Sequence, residues 1–244
     1  MVNLLLERIY ETKRCEDGDG NLVDPFHASI PWRDGMVLYE TIRQTNSTRT
    51  LETGMAYGLS TLFMCQAVAD NGGGIHVAID PAMNKAYKSI GVLNVKRAGF
   101  VDMVRCYEAP SHEVLPKLLA QDAQFDFVFI DGFHAFDTAL LDFYYADRLI
   151  PCGGRILFHD VWMPSIRKAL SSVLRNRDYR VDNRFNCQRI PFRRWLVRSL
   201  KSLFQNPFDP YASTFLRQDY AMCNFVLVEK IADDTRTWTH YSSF

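Results

Sequence analysis

Long apolar runs are missing from this 244-residue chain. No stretch approaches the ~18–20 consecutive apolar residues that a membrane-spanning helix needs. The triplet Leu4-Leu5-Leu6 is cut short by Glu7 and Arg8 before the core of a secretory leader can form. Charge imbalance is missing too. The 28 Lys+Arg are matched by 28 Asp+Glu, a formal net charge of zero, where a dedicated nucleic-acid binder would carry a basic excess. The six cysteines (Cys15, Cys65, Cys106, Cys152, Cys187 and Cys223) include no C-x-x-C pair, which argues against a dithiol or zinc-ribbon centre. Several sit among apolar neighbours and read as free, buried thiols of a reducing compartment. The expected location is therefore cytoplasmic. Neither G-x-G-x-x-G nor G-K-[ST] occurs, so phosphate cradling is disfavoured.

What is present suits one α/β unit. The composition is 48% hydrophobic and 23% charged, enough for a substantial core. Short apolar runs end at Glu52, Ile79, Cys106, Ile130 and Phe158, and segments with helical spacing separate them. Strands alternating with helices predict a Rossmann-like, doubly wound α/β sheet, mostly parallel. A late strand over 221–229 follows the end of the alternation and is expected to add antiparallel at the sheet edge. The predicted organisation is an N-terminal helical cap over 1–48, a cofactor-binding core over 49–182, a basic insertion or lid over 183–218, and a final strand and tail over 219–244.

The first core strand runs into Glu52-Thr53-Gly54-Met55-Ala56-Tyr57-Gly58-Leu59-Ser60. A glycine at a strand tip permits a sharp turn, and a second near the helix start permits close approach by a ligand; a tight turn without a ligand fits the same residues. The next strand ends in Ile79-Asp80-Pro81, and Asp80 lies 22 residues beyond Gly58. An acid there can accept hydrogen bonds from ribose hydroxyls, although Asp before Pro also starts turns. Glu52 places a second acid towards the same crevice. Two acids without a phosphate-holding cluster suit a cationic, hydroxyl-rich ligand such as S-adenosylmethionine.

Together, Glu52-x-Gly54-x-x-x-Gly58-x-Ser60, Ala78-Ile79-Asp80-Pro81, Phe129-Ile130-Asp131-Gly132-Phe133-His134, Pro151-Cys152-Gly153-Gly154 and Phe158-His159-Asp160-Val161 resemble class I S-adenosylmethionine-dependent methyltransferases, nearest to a small-molecule O-methyltransferase-like branch. The resemblance covers roughly residues 30–170. It implies that Glu52 and Gly54 line the methionine end, Gly58 permits close approach, Ser60 bonds the amino-acid part and Asp80 holds the ribose. Ala109, in the loop Tyr107-Glu108-Ala109-Pro110, matches the segment that touches adenine, and Ser29-Ile30-Pro31 would cover the cofactor.

Asp131, His134, His159 and Asp160 fall at the ends of neighbouring strands, the rim where ligands bind in such sheets. Each also fits an ordinary turn or cap. A hydroxyl acceptor gains from a nearby base, so His134, with Asp131 and His159, is the candidate catalytic group. A divalent metal on Asp131, His159 and Asp160, either Mg²⁺ or a transition metal, is the other route to an activated hydroxyl. Metal-dependent relatives of the resembled group carry Asp-Asn or Asp-Asp where this chain has His159-Asp160, which puts an all-oxygen magnesium site in doubt.

The segment Arg189 to Phe204 holds five cations and no acid, with Phe192, Leu196, Leu200 and Leu203 at helical spacing. It reads first as a solvated basic helix whose apolar face packs on its own domain, with a lid over the acceptor, a peripheral membrane foot and an interface left open. The expectation is a methyltransferase acting on oxygen of a small molecule. The alternative is an inactive S-adenosylmethionine-binding regulatory or interaction protein. A nicotinamide oxidoreductase is disfavoured by the absent glycine fingerprint. The expected partners are a small-molecule substrate and a second copy of the chain, with no nucleic acid.

Overall fold

The computed structural model describes residues 3–182, Leu196 and 224–240. The basic insertion, apart from Leu196, and the start of the predicted late strand lie outside the described residues.

The chain begins with helix α1 (Leu4–Thr12), a two-stranded hairpin of β1 (Cys15–Glu16) and β2 (Leu22–Val23), and helix α2 (Trp32–Gln44). The N-terminal region is thus two helices with a hairpin between them. The polar loop 17–21 forms the hairpin's turn, in which Asp17 Oδ1 accepts from the backbone N–H groups of Asp19 and Asn21 at 3.0 and 2.9 Å. Residues 49–159 then alternate as expected: β3 (Arg49–Thr53), α3 (Leu59–Asp70), β4 (Ile75–Ile79), α4 (Ile90–Arg97), β5 (Val104–Tyr107), α5 (Ser111–Ala120), β6 (Phe127–Ile130), α6 (Phe136–Leu149) and β7 (Arg155–His159). Helix α7 (Pro164–Asn176), β8 (Tyr179–Val181) and β9 (Phe225–Lys230) complete the fold.

Seven strands form one sheet in the order β5-β4-β3-β6-β7-β9-β8. Strands β3 to β7 pair in parallel, and β9 runs antiparallel to β7 with Phe225 opposite His159. The late strand is therefore antiparallel, as its sequence position suggested. A further three-residue strand, β8, pairs antiparallel outside it. The Tyr-Arg-Val of β8 is too short for a period-2 pattern to stand out.

Two apolar layers cover the sheet. Strand β6 is Phe-Val-Phe-Ile and is buried at all four positions, the continuous apolar pattern of a strand covered on both faces. Phe129 packs towards α2 and α3 on one side, while Val128 and Ile130 face α6 and α7 on the other. Truncating Phe129 to Ala would cost about 3–5 kcal/mol. Helix α3 is buried nearly all round, at nine of its residues, because it lies between the sheet and α2. Gly35 of α2 rests against the Phe63 ring, where any Cβ would overlap it. That contact draws α2 close to α3 and brings its first turn over the carboxyl ends of the strands.

Candidate active site

The sheet changes direction of winding between β3 and β6, and the carboxyl ends of these strands open into a cavity of about 1070 Å³, the expected place for a ligand in such a fold. Gly54 leaves β3 with φ +90°, a left-handed conformation that suits glycine. A Cβ at this position would also overlap the carbonyl of Asp131. Asp80 sits across from it, 6% exposed. Its Oδ2 accepts from the backbone N–H groups of Met55 and Ala56 at 3.0 and 2.8 Å, and its Oδ1 from Ala82 at 2.7 Å. Asp80 therefore shapes the glycine turn as well as facing the cavity.

Glu52 is fully buried beneath the first turn of α3. It accepts from Ser60 Oγ at 2.8 Å and from Thr61 Oγ1, and lies 3.2 Å from His76 Nε2, whose Nδ1 is 2.8 Å from Thr50 Oγ1. A carboxylate at a helix N-terminus favours the helix dipole, so this network ties α3 to β3 and β4. Gly58 caps α3 at φ +77° and meets the backbone of Gly91, which would lie 3.0 Å from an added Cβ. Gly54, Ser60, Asp80, Asp131, His134, His159 and Asp160 line the cavity. Glu52, Gly58 and Ala109 are not among its lining residues; Pro110, next to Ala109, is.

At the opposite end of the cavity four titratable groups meet. Asp131 Oδ1 lies 3.4 Å from His134 Nε2 and 3.1 Å from His159 Nδ1, and Asp160 Oδ2 is 3.2 Å from His134 Nε2. Burial alone would raise the Asp131 carboxyl, but the imidazoles of His159 and His134 outweigh it and hold it below the usual range. The hydrogen bond to Asp131, against burial, raises the His134 pKa. Burial would lower that of His159, but Asp131, Asp160 and Asp34 together carry it well above its ordinary value. Asp160 adopts φ +51° directly after β7, an uncommon conformation that turns its backbone sharply at the cluster. Its Oδ1 accepts from the Trp162 indole at 2.7 Å.

Ligand atoms of Asp131, His134 and Asp160 all lie within 4.8 Å of one another, so two carboxylates and one imidazole fit a single divalent cation. His159 is placed differently from the set read in the sequence. Its Nδ1 faces Asp131 and its Nε2 faces Asp34 Oδ2 at 3.1 Å. The Asn224 side-chain amide lies 3.1 Å from the same Nε2, so both ring nitrogens are engaged by neighbouring side chains.

Asp34, Asn224, Thr53 and Asp142 were not singled out by sequence reading. Nothing in the sequence relates residue 34 to residue 159. Asp142 did carry a signal, as an acid on the apolar side of α6 between Leu141 and Phe143. It is 2% exposed, and burial pushes its carboxyl pKa up. Asp142 Oδ1, Thr53 Oγ1 and Ser29 Oγ are buried without a hydrogen-bond partner among the described residues, and all three residues line the cavity. Orphaned polar atoms are costly unless a ligand or water satisfies them, so this wall fits a hydroxyl- and amine-bearing guest.

Residues 51–161 match a family model described as a methyltransferase domain. The chain has a Rossmann-like α/β fold, and its central residues resemble a methyltransferase domain. Tricin synthase 2 from Oryza sativa subsp. japonica is 29% identical over 158 residues, covering 62% of this chain and 51% of the relative. A caffeoyl-CoA O-methyltransferase from Populus kitakamiensis is 28% identical over 145 residues, covering 57% and 58%. The chain thus spans about half the length of the curated relatives it matches. An O-methyltransferase from Bacillus cereus, solved in complex with SAH, superposes with a TM-score of 0.65 at 15% identity, covering 93% of this chain and 90% of that one. The matched residues run from within β3 to just past β7 and include Gly54, Asp80, Asp131, His134 and Asp160 of the cavity lining. Among the described residues no helix is long and apolar enough to cross a membrane.

Proposed function

We propose that the protein transfers a methyl group from S-adenosylmethionine to a hydroxyl oxygen of a small-molecule acceptor. One observation carries this reading: a single cavity joins the Gly54–Asp80 turn to the Asp131–His134–Asp160 cluster. The acid and imidazole cluster at the far end suits the handling of an acceptor's proton, which favours this reading over the binding-protein alternative. The family resemblance and the relatives' printed names agree with this reading.

In this proposal the Gly54 turn and Asp80 seat the nucleoside, and the orphaned atoms of Ser29, Thr53 and Asp142 supply polar partners along the wall. S-adenosylmethionine, when bound, supplies an electrophilic methyl group on a sulfonium whose departure leaves a neutral thioether. The chain's own work is to hold the acceptor in line and to take its proton. The acids face Nε2 of His134, so that nitrogen keeps its hydrogen and Nδ1 is the basic atom. As the acceptor oxygen bonds to the methyl carbon and the carbon–sulfur bond breaks, the hydroxyl proton passes to His134. Asp131 and Asp160 stabilise the resulting imidazolium. General-base assistance of this kind contributes about 10²–10⁴ in rate.

The proximity of Asp131, His134 and Asp160 favours a second reading of the activation step. A divalent cation held by these residues would acidify the hydroxyl, and His134, with Nε2 engaged as a ligand, could not then be the base. The deciding experiment incubates the full chain with S-adenosylmethionine and a panel of phenolic and sugar hydroxyl acceptors. S-adenosylhomocysteine release is followed with and without EDTA, alongside calorimetry. Affinity for S-adenosylhomocysteine without turnover of any acceptor would leave only the binding-protein alternative. Turnover abolished by EDTA and restored by Mn²⁺ or Mg²⁺ selects the metal.

A further inference from the structure

The buried acid Asp34 belongs to no part of the chemistry described so far. It lies in the first turn of α2, is 4% exposed, and is not among the residues lining the cavity. Its Oδ2 lies 3.1 Å from His159 Nε2 and accepts from the Asn224 side-chain amide, whose Nδ2 is also 3.1 Å from that ring nitrogen. On the far side of the same ring, Nδ1 donates to Asp131 Oδ1 at 3.1 Å, and that oxygen is the one facing His134 Nε2 at 3.4 Å. The ring also meets Phe129 edge-on, with centroids 5.8 Å apart. Four elements therefore contribute to one line: Asp34 from α2, His159 from β7, Asp131 from the end of β6 and His134 before α6.

A buried ion pair alone is weak evidence of a stabilising role, since desolvation offsets much of the attraction. Here the geometry is directional as well. An imidazole held at one nitrogen only can rotate about its side-chain bonds, whereas one held at both is locked in plane, and its free end sets where the next carboxylate sits. The backbone N–H of Asp34 donates to the Pro31 carbonyl at 3.0 Å, and Pro31 lines the cavity beside Ser29 and Ile30. The turn that carries Asp34 is thus joined directly to a segment of the cavity wall.

We propose that Asp34 is a positioning residue for methyl transfer: by holding His159 Nε2 it orients the ring so that Nδ1 fixes Asp131, which in turn holds His134. This rests on the methyl-transfer reading above. It adds that the N-terminal region, which the methyltransferase family model does not cover, completes the reaction centre.

The test is a double-mutant cycle on the full chain with Asp34→Ala, His159→Ala and the pair, measuring kcat, acceptor KM and the calorimetric Kd for S-adenosylhomocysteine. If Asp34 acts through His159, Asp34→Ala lowers kcat at least tenfold with Kd within twofold of the parent. The pair then loses no more than His159→Ala alone. A kcat within twofold of the parent, or losses that multiply in the pair, overturns the proposal. Should Asp34→Ala not fold, Asp34→Asn, which keeps one acceptor oxygen, carries the same cycle. A loss that vanishes on the His159→Ala background supports the proposal, and a loss equal on both backgrounds, or no loss at all, overturns it. Imidazole NMR supplies a readout that needs no turnover: the parent shows two slowly exchanging ring N–H signals from His159, and the Nε2 signal disappears in the Asp34 variant. A parent with fewer than two overturns the proposal. If the parent methylates no acceptor, the methyl-transfer reading falls, while the spectrum still decides how the ring is held.

Discussion

Gly54 passes the carbonyl of Asp131 so closely that no other residue type fits between them. The two halves of the cavity, the turn after β3 and the cluster after β6, therefore meet at this contact. Gly54→Ala combines a φ of +90° with overlap against backbone. It should destabilise the fold by about 2–4 kcal/mol and weaken S-adenosylhomocysteine binding at least tenfold. Thermal melts and calorimetry read the two effects separately. A parent-like melt and Kd would show that the turn relaxes without consequence.

Asp80→Asn tests the acid that shapes the glycine turn. The carboxylate accepts three backbone N–H groups with both oxygens, and an amide must turn its NH₂ towards at least one of those donors. The expected cost is about 1–3 kcal/mol, with S-adenosylhomocysteine affinity falling at least tenfold by titration calorimetry. If only stability falls and affinity stays, Asp80 serves the turn and not the ligand.

These two positions were legible in the sequence because a glycine at a strand tip and an acid at the next strand's end are local patterns. The alternating core was legible for the same reason: Phe125 to Ile130 and Ile75 to Ile79 are short apolar runs between helical segments. What escaped was non-local. Glu52 has the composition of a cavity residue, yet Ser60, Thr61 and His76 enclose it beneath α3. His159 reads in sequence as a metal ligand, and its contact with Asp34 of α2 across the ring has no sequence signal. Strand pairing and helix docking decide such neighbours, and no spacing along the chain records them.

His134→Ala should lower kcat by about 10²–10⁴ if the imidazole is the base, with the Kd for S-adenosylhomocysteine within twofold of the parent. The loss should persist at saturating acceptor. In that case EDTA leaves the parent rate unchanged. Rate recovery of the variant on adding Mn²⁺ would contradict the base reading.

Asp17 gives a pH-dependent prediction remote from the cavity. The backbone N–H of Asn21, aided by the Asn21 side chain, Lys88 and Asp19, lowers its carboxyl pKa to about 2. The unfolded value is about 3.9, so the folded state favours the charged form. Its contribution is complete above the unfolded pKa and is lost as pH falls towards 2. The gap in urea midpoint between the parent and Asp17→Ala should stay constant from pH 7 to about 5 and close on further acidification. A gap that does not change with pH would assign the loop's stability to shape, not charge.

Strand β9 enters the sheet between β7 and β8, and this sets where the intervening chain leaves and rejoins the sheet. Asp182, the residue after β8, donates its backbone N–H to Leu227 of β9 at 2.9 Å. The residues flanking the 41-residue stretch 183–223 are thus each held by the core, Asp182 on Leu227 and Asn224 through its carbonyl, which accepts from the Val161 N–H at 3.0 Å. Loop-closure entropy rises only with the logarithm of length, so the sheet is nearly indifferent to how many residues lie between those anchors. Asn224, at one anchor, reaches both the cavity and Asp34. The strands on either side of the Asp131–His159 contact therefore keep their register whatever the length of chain between these two anchors.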